Sequence, residues 1–283
     1  MMTTLKNPFY SLVLAAVLSP VLFSCQQDEE IAVQDAAITD QLIADEITAD
    51  DLFEDMDEIS MDAASYTING RLNDEGSVTE LDCVSRTVDR NGDLRSAVTL
   101  TFSGACEGPR GRTRTGTLLI DRSIDLNTST YTVSTTFQDF YVNGHQIEGT
   151  RTLVYSLNED QLLTVNVTLT DGRVTLSNGN VITRSGNFTR TVDRENAQIT
   201  VTGSASGTNR NGVAYVSEIT SPLVFQRNCA SDGIYMPVQG IKQISRTGRN
   251  DLEINFGEGA CDKSVNIISE GENRTIEIAF TRN

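Results

Sequence analysis

From Tyr66 onward the chain is written in short runs that alternate apolar and polar residues, divided by Gly, Asn and Asp. Successive side chains of a strand point to opposite faces, so such runs read as strands with one buried face. Ala97-Val98-Thr99-Leu100-Thr101-Phe102, Thr117-Leu118-Leu119-Ile120 and Leu163-Thr164-Val165-Asn166-Val167-Thr168-Leu169 are examples, and Ile276, Ile278 and Phe280 mark the last strand. Between them fall Asn91-Gly92, Asn143-Gly144, Asp171-Gly172, Asn178-Gly179 and Asn211-Gly212. These dipeptides accept the positive φ that two-residue hairpin turns demand. The spacing predicts roughly a dozen or more antiparallel strands, with no long helical pattern between them. The expected fold is all-β: a large antiparallel up-and-down sheet over residues 65–283 that curls into an open barrel or sandwich.

Charge divides the chain differently. Between Asp28 and Asp62 there are 14 acidic residues and no Lys or Arg, whereas residues 63–283 carry 25 acids against 21 bases. The net charge of −17 therefore belongs mainly to residues 25–64, which read as an acidic N-terminal tether. Within it Ile38, Leu42, Ile43, Ile47, Leu52, Phe53, Met56 and Ile59 recur at helix-like intervals, and Thr48 precedes Asp50, Asp51 and Glu54 as a cap would. Two readings stay open: a solvated spacer, or short amphipathic helices that dock on the β domain or on a partner. Nucleic acid is disfavoured as a partner, because phosphate contacts need a cationic surface.

Residues 1–24 carry one charge, Lys6, and an apolar run from Phe9 to Phe23 broken by Pro20. The run is shorter than the roughly 20 residues of a spanning helix, and acids rather than bases follow it. Leu22-Phe23-Ser24-Cys25 resembles the cleavage site of a bacterial lipoprotein signal peptide, with Phe23 where a small residue is usual. Gln26-Gln27-Asp28-Glu29-Glu30 resembles the acidic export signal of surface lipoproteins of the Bacteroidota. As a whole the chain resembles the uncharacterised all-β lipoproteins of that group. The resemblance implies a lipid (palmitate or a similar acyl group) on Cys25 and attachment to the outer membrane. The domain would then face the cell surface or, failing that, the periplasm. It implies no catalytic residue.

Four cysteines remain, Cys83, Cys106, Cys229 and Cys261. An even number in an oxidising compartment suggests two disulfides, and three connectivities are open. Two blocks of similar grammar choose between them. Thr101-Phe102-Ser103-Gly104-Ala105-Cys106 and Asn255-Phe256-Gly257-Glu258-Gly259-Ala260-Cys261 each precede a turn and a further strand, and each has one cysteine upstream. Cys83–Cys106 and Cys229–Cys261 are the expected pairs. No two cysteines have zinc-site spacing, and His145 is the single histidine, so no metal or other cofactor is expected.

Candidates for chemistry are few. His145 follows a turn, and a turn histidine is ordinary. Asp251, Glu253 and Glu258 could form a glycosidase pair but read as solvated acids. Asp89-Arg90-Asn91-Gly92-Asp93 spaces oxygens like a calcium loop, yet Leu94 stands where Gly is needed. Phe137, Asp139 and Tyr141 share one predicted face and Phe140 and Val142 the other, as in a core strand. Arg110, Arg112 and Arg114 share a face at strand spacing and must find anions, either the chain's own acids or an anionic ligand. The leading expectation is a noncatalytic envelope lipoprotein, a binding or structural module with a glycan or envelope protein as partner. The alternatives are a glycan-active enzyme and a carrier of lipid or lipoprotein acyl chains. A polar cleft with paired acids would favour the enzyme, and a continuous apolar concavity the carrier.

Overall fold

A computed structural model describes residues 41–57, 59–61, 63, 81–108, 111–269 and 271–278. Cys25, the export signal, Arg110 and Phe280 lie outside the described residues. Thirteen antiparallel strands form one sheet in sequence order. They are β1 (Val84–Arg90), β2 (Arg95–Glu107), β3 (Thr113–Asp125), β4 (Thr130–Val142), β5 (His145–Leu157), β6 (Leu163–Thr175), β7 (Val181–Asp193), β8 (Gln198–Thr208), β9 (Ala214–Gln226), β10 (Gln239–Arg246), β11 (Leu252–Glu258), β12 (Ser264–Ser269) and β13 (Glu272–Glu277). No pairing joins β1 to β13 among the described residues, so the sheet is open rather than closed. Among the described residues the chain is thus all-β apart from the helix α1 (41–57, 59–61 and 63) and a 3-10 turn at Arg227–Asp232. Among the described residues no helix is long and apolar enough to cross a membrane.

The turn grammar explains most hairpins. Asn143 and Gly144 both have positive φ, 49° and 78°, and join β4 to β5 in the two-residue geometry that matches strand twist. Asn91-Gly92, Asn178-Gly179 and Asn211-Gly212 also lie between consecutive strands. Asp171-Gly172 does not. It sits inside β6, where the register with β7 slips between Leu169 and Gly172. The dipeptide that reads as a hairpin is here a β-bulge, which exploits the same positive φ (51° at Asp171).

That bulge is one of a row. Register slips recur at Phe102/Cys106 in β2, Thr115/Thr117 in β3, Thr136/Phe140 in β4, Glu148/Thr150 in β5, and Val201/Ser204 in β8. Each slip bends its strand and increases local twist, so neighbouring slips coil the whole sheet. Gly116 shows why the row needs glycine. Its φ is +96°, and an added Cβ would lie 1.9 Å from the carbonyl oxygen of Asp139 on β4. The slip in β4 also breaks the predicted alternation there. Phe137 and Phe140 both turn inward, their ring centroids 6.1 Å apart, while Tyr141 is exposed. Period-2 reasoning fails at a bulge because the extra residue moves every later side chain to the other face.

The inner face holds Val98, Leu100, Leu118, Ile120, Val133, Leu153, Val167, Ile244, Ile254 and Ile267. The outer face is Thr-, Ser- and Asn-rich and linked sideways by side-chain pairs such as Ser134–Thr152 (3.2 Å), Thr168–Asn187 (3.0 Å) and Thr189–Asn166 (3.0 Å). Small polar β-formers cover a solvated sheet without exposing apolar area.

Both expected disulfides form, Cys83–Cys106 and Cys229–Cys261. The first ties the open end of the β1–β2 hairpin, and the second joins the 3-10 turn between β9 and β10 to the β11–β12 connection. Closing loops of these lengths stabilises the fold by roughly 3–4 kcal/mol apiece in the chain-entropy model.

Candidate functional site

The acidic segment ends inside the fold. Residues 42–283 pack as one unit. In α1 the consecutive residues Asp55, Met56 and Asp57 are all buried, as are Leu52, Phe53, Ile59 and Ser60. Consecutive helical residues are 100° apart, so burial at three in succession means neighbours on more than one side. The coiled sheet wraps α1. Of the two readings left open by the sequence, the docked helix is the one present from residue 42. Leu52, Phe53, Met56 and Ile59 join β2–β7 in one core, and Leu42 and Ile43 join β8–β13 in another. Burying each such side chain contributes about 1.5–3 kcal/mol.

The helix carries its acids into this interior, and the sheet meets them with bases that occupy inward positions otherwise held by aliphatic residues. Arg114 donates through Nε to Asp55 Oδ2 (3.0 Å) and through Nη2 to Oδ1 (2.7 Å), with side-chain exposures of only 2% and 3%. Arg112 adds a contact to Asp55 (3.2 Å) and donates to Asp51 (2.7 Å). Arg151 donates through Nη2 to Asp57 Oδ2 (2.8 Å), which Arg190 also approaches (2.9 Å). Arg210 holds Asp45 in a forked contact. Arg184 and Lys242 stand between Glu46 and Asp50, at 2.9 and 2.8 Å for Arg184 and at 3.4 and 2.6 Å for Lys242. Ser217 donates to Glu46 Oε1 (2.8 Å), and Thr135 donates to Ser60 (2.8 Å). Buried ions need partners of opposite sign, and these are supplied across one helix–sheet interface.

Above Asp50 the interface opens into a cavity of about 100 Å³ between α1 and β5–β11. Phe188, Ile219, Leu223, Phe225 and Phe256 wall it, while Asp50, Asp51 and Glu54 face Arg151, Arg184, Arg190 and Lys242 at its charged end. Asp50 lines the cavity and keeps 41% of its side-chain surface open. Burial pushes its carboxyl up. Arg184 and Lys242 outweigh that, Lys242 by charge and by hydrogen bond, and hold it below the ordinary value of 3.8.

The candidates singled out in the sequence go elsewhere. Arg112 and Arg114 are taken up by Asp51 and Asp55. His145 is half-buried at the β4–β5 turn, accepts a hydrogen bond at Nδ1 from the Ser177 amide (3.2 Å), and has its pKa lowered by burial. Asp251 is exposed and accepts from Gln243 (3.2 Å), Glu253 is half-buried within β11, and Glu258 is exposed at the end of that strand. Asp89–Asp93 forms the end of β1 and its turn. Among the described residues no three His, Cys, Asp or Glu side chains gather as a metal would require. Arg151, Arg184, Arg190 and Lys242 were not marked by the sequence reading. The available signal was a base in phase with an apolar face, as in Ile182-Thr183-Arg184 and Arg151-Thr152-Leu153. No protein family, curated protein or solved structure matches this chain.

Proposed function

We propose that this chain is a noncatalytic lipoprotein of the outer membrane, held by acyl chains on Cys25, whose β domain is a binding module. The observation that carries the noncatalytic part is where the acids go. The densest acidic segment of the chain is neutralised against Arg112, Arg114, Arg151, Arg184, Arg210 and Lys242 inside the fold. A glycan-active enzyme needs a carboxyl kept protonated beside a second, ionised one. Asp50, open to the cavity, is shifted the opposite way. A binding role is supported by the cavity itself, which has apolar walls and a few convergent polar groups, the usual make-up of a ligand site. Lipid anchoring rests on Leu22-Phe23-Ser24-Cys25, and surface display on Gln26-Gln27-Asp28-Glu29-Glu30. More than one acyl chain is needed for stable attachment.

Metabolic palmitate labelling of the wild type and Cys25→Ala, with protease shaving of intact cells, tests this. Label in the wild type and its loss in the variant are expected, together with cleavage of the β domain by external protease. An unlabelled wild type would overturn the lipoprotein assignment. Labelling with full protection from protease would turn the domain toward the periplasm.

A further inference from the structure

We propose that the cavity between α1 and β5–β11 binds a small carboxylate whose body is a single aromatic ring or a group of that bulk. This rests on the binding-module reading and names the ligand class for it. The size follows from the volume. At about 100 Å³ the cavity is of the scale that holds one benzene-sized body and falls short of the usual drug-sized pocket. The apolar part of the wall, with Phe188, Leu223, Phe225 and Phe256, suits an aromatic or branched body.

The sign follows from the charged end. Arg184 is 2% exposed, and its Nη1 and Nη2 lie 2.9 Å from Glu46 Oε1 and 2.8 Å from Asp50 Oδ1. Glu46 and Asp50 stand at ion-pair distance from it without lying along its N–H directions. A buried guanidinium whose acceptors are poorly aligned favours a better-placed one. Lys242 brings three donors, of which the short contact to Asp50 and the long one to Glu46 use two. Four bases line the cavity against three acids, while Glu46 and Asp57 pair with these bases from outside its lining. Guanidinium and carboxylate match as planar partners, so a carboxylate is the acceptor this end selects. Asp50 occupies the same cations from the helix side and keeps 41% of its surface open. It is a built-in competitor, and an entering carboxylate shares or takes over its contacts to Arg184 and Lys242.

Calorimetric titration of the full-length chain with phenylacetate, phenethylamine and acetate separates the terms. Phenylacetate carries the predicted charge and body, phenethylamine the same body with the opposite charge, and acetate the charge alone. Saturable binding of phenylacetate is expected, at least about tenfold tighter than either other probe, the share of one charge-assisted hydrogen bond or one buried ring. Asp50→Asn removes the competing anion and is expected to tighten phenylacetate severalfold. Ile219→Phe fills the cavity from its apolar side and is expected to abolish binding. Failure of phenylacetate to saturate, or phenethylamine binding as tightly, would overturn the proposal without any variant having to fold. Unchanged binding by Ile219→Phe would move the site elsewhere and overturn it too. Palmitate labelling is independent of these titrations, so a lost ligand and a lost anchor are told apart.

Discussion

Asp55→Asn is the sharpest probe of the interior charge layer, because it changes one charge and almost no volume. Asp55 accepts two aligned hydrogen bonds from Arg114 and a third ionic contact from Arg112, and both ends of the Arg114–Asp55 pair are at most 3% exposed. Asn can accept at one oxygen and presents donors at the other position, so Arg114 loses one hydrogen bond and its full countercharge. Leaving one member of a buried pair uncompensated costs about 3–5 kcal/mol. For a domain of this size that lowers the melting temperature by roughly 6–20 °C. Urea unfolding followed by circular dichroism is the assay, with a lower midpoint and an unchanged slope expected. The companion is Arg114→Met with Asp55→Leu. Replacing both ions by apolar groups removes the desolvation cost together with the attraction, so the double variant should recover most of the loss. A midpoint for Asp55→Asn within about 0.5 kcal/mol of the wild type, the range of an ordinary surface change, would refute the buried pairing. It would also return α1 to the status of a solvated tether.

Acidification should weaken the fold by a route that can be signed. Asp50 is held below 3.8 in the folded chain, so its contribution is present above that value and is lost as pH falls through the folded pKa. Stability measured by urea unfolding should decline below about pH 4, and Asp50→Asn should flatten that decline while lowering the plateau at neutral pH. A variant whose acid slope equals that of the wild type would contradict the assignment. Gly116→Ala places a Cβ 1.9 Å from Asp139 O at a φ of +96°, a clash with backbone that costs several kcal/mol. Thermal unfolding should show it, and a variant as stable as the wild type would show that the β3 bulge is not required. Gly92→Ala is the control for positive-φ strain without a clash, since its φ is +77° and nothing lies within 4 Å of its would-be Cβ.

The sheet was legible because its code is local. Alternation along Leu163–Leu169 and turn residues at Asn143-Gly144 each act over a few residues, and together they define strand, face and connection. The two disulfides were legible for the same reason, since each joins cysteines near in sequence, 23 and 32 residues apart. The row of bulges was not. Asp171-Gly172 is chemically a hairpin turn, and only the partner strand β7 makes it a slip in register. The destination of the acidic segment was likewise hidden. Asp45 and Arg210 are 165 residues apart, and Glu46 and Lys242 are 196 apart. A tether and a buried helix share the same amphipathic spacing, so residues 42–63 alone do not choose between them.

The choice is made by the sheet. A coiled meander of thirteen strands without its closing contact leaves an inner face that must be covered. An apolar helix would cover it at least as well in energy, because buried ion pairs gain little over apolar packing. What charges add is position. An all-apolar helix could slide by a turn against aliphatic neighbours at small cost, whereas a slide of about 5.4 Å here would strand Asp45, Asp55 and Asp57 away from Arg210, Arg114 and Arg151. Each stranded pair costs several kcal/mol. The bases therefore fix the register of α1, and with it the position of Asp50 at the charged end of the cavity. On this reasoning, replacing Asp57 with both its partners, Arg151 and Arg190, and the Arg114–Asp55 pair by apolar residues would leave the chain folded but loosen α1. The first sign would be a broadened distribution of helix positions around Asp50, visible in amide exchange of α1 before any change in the unfolding midpoint.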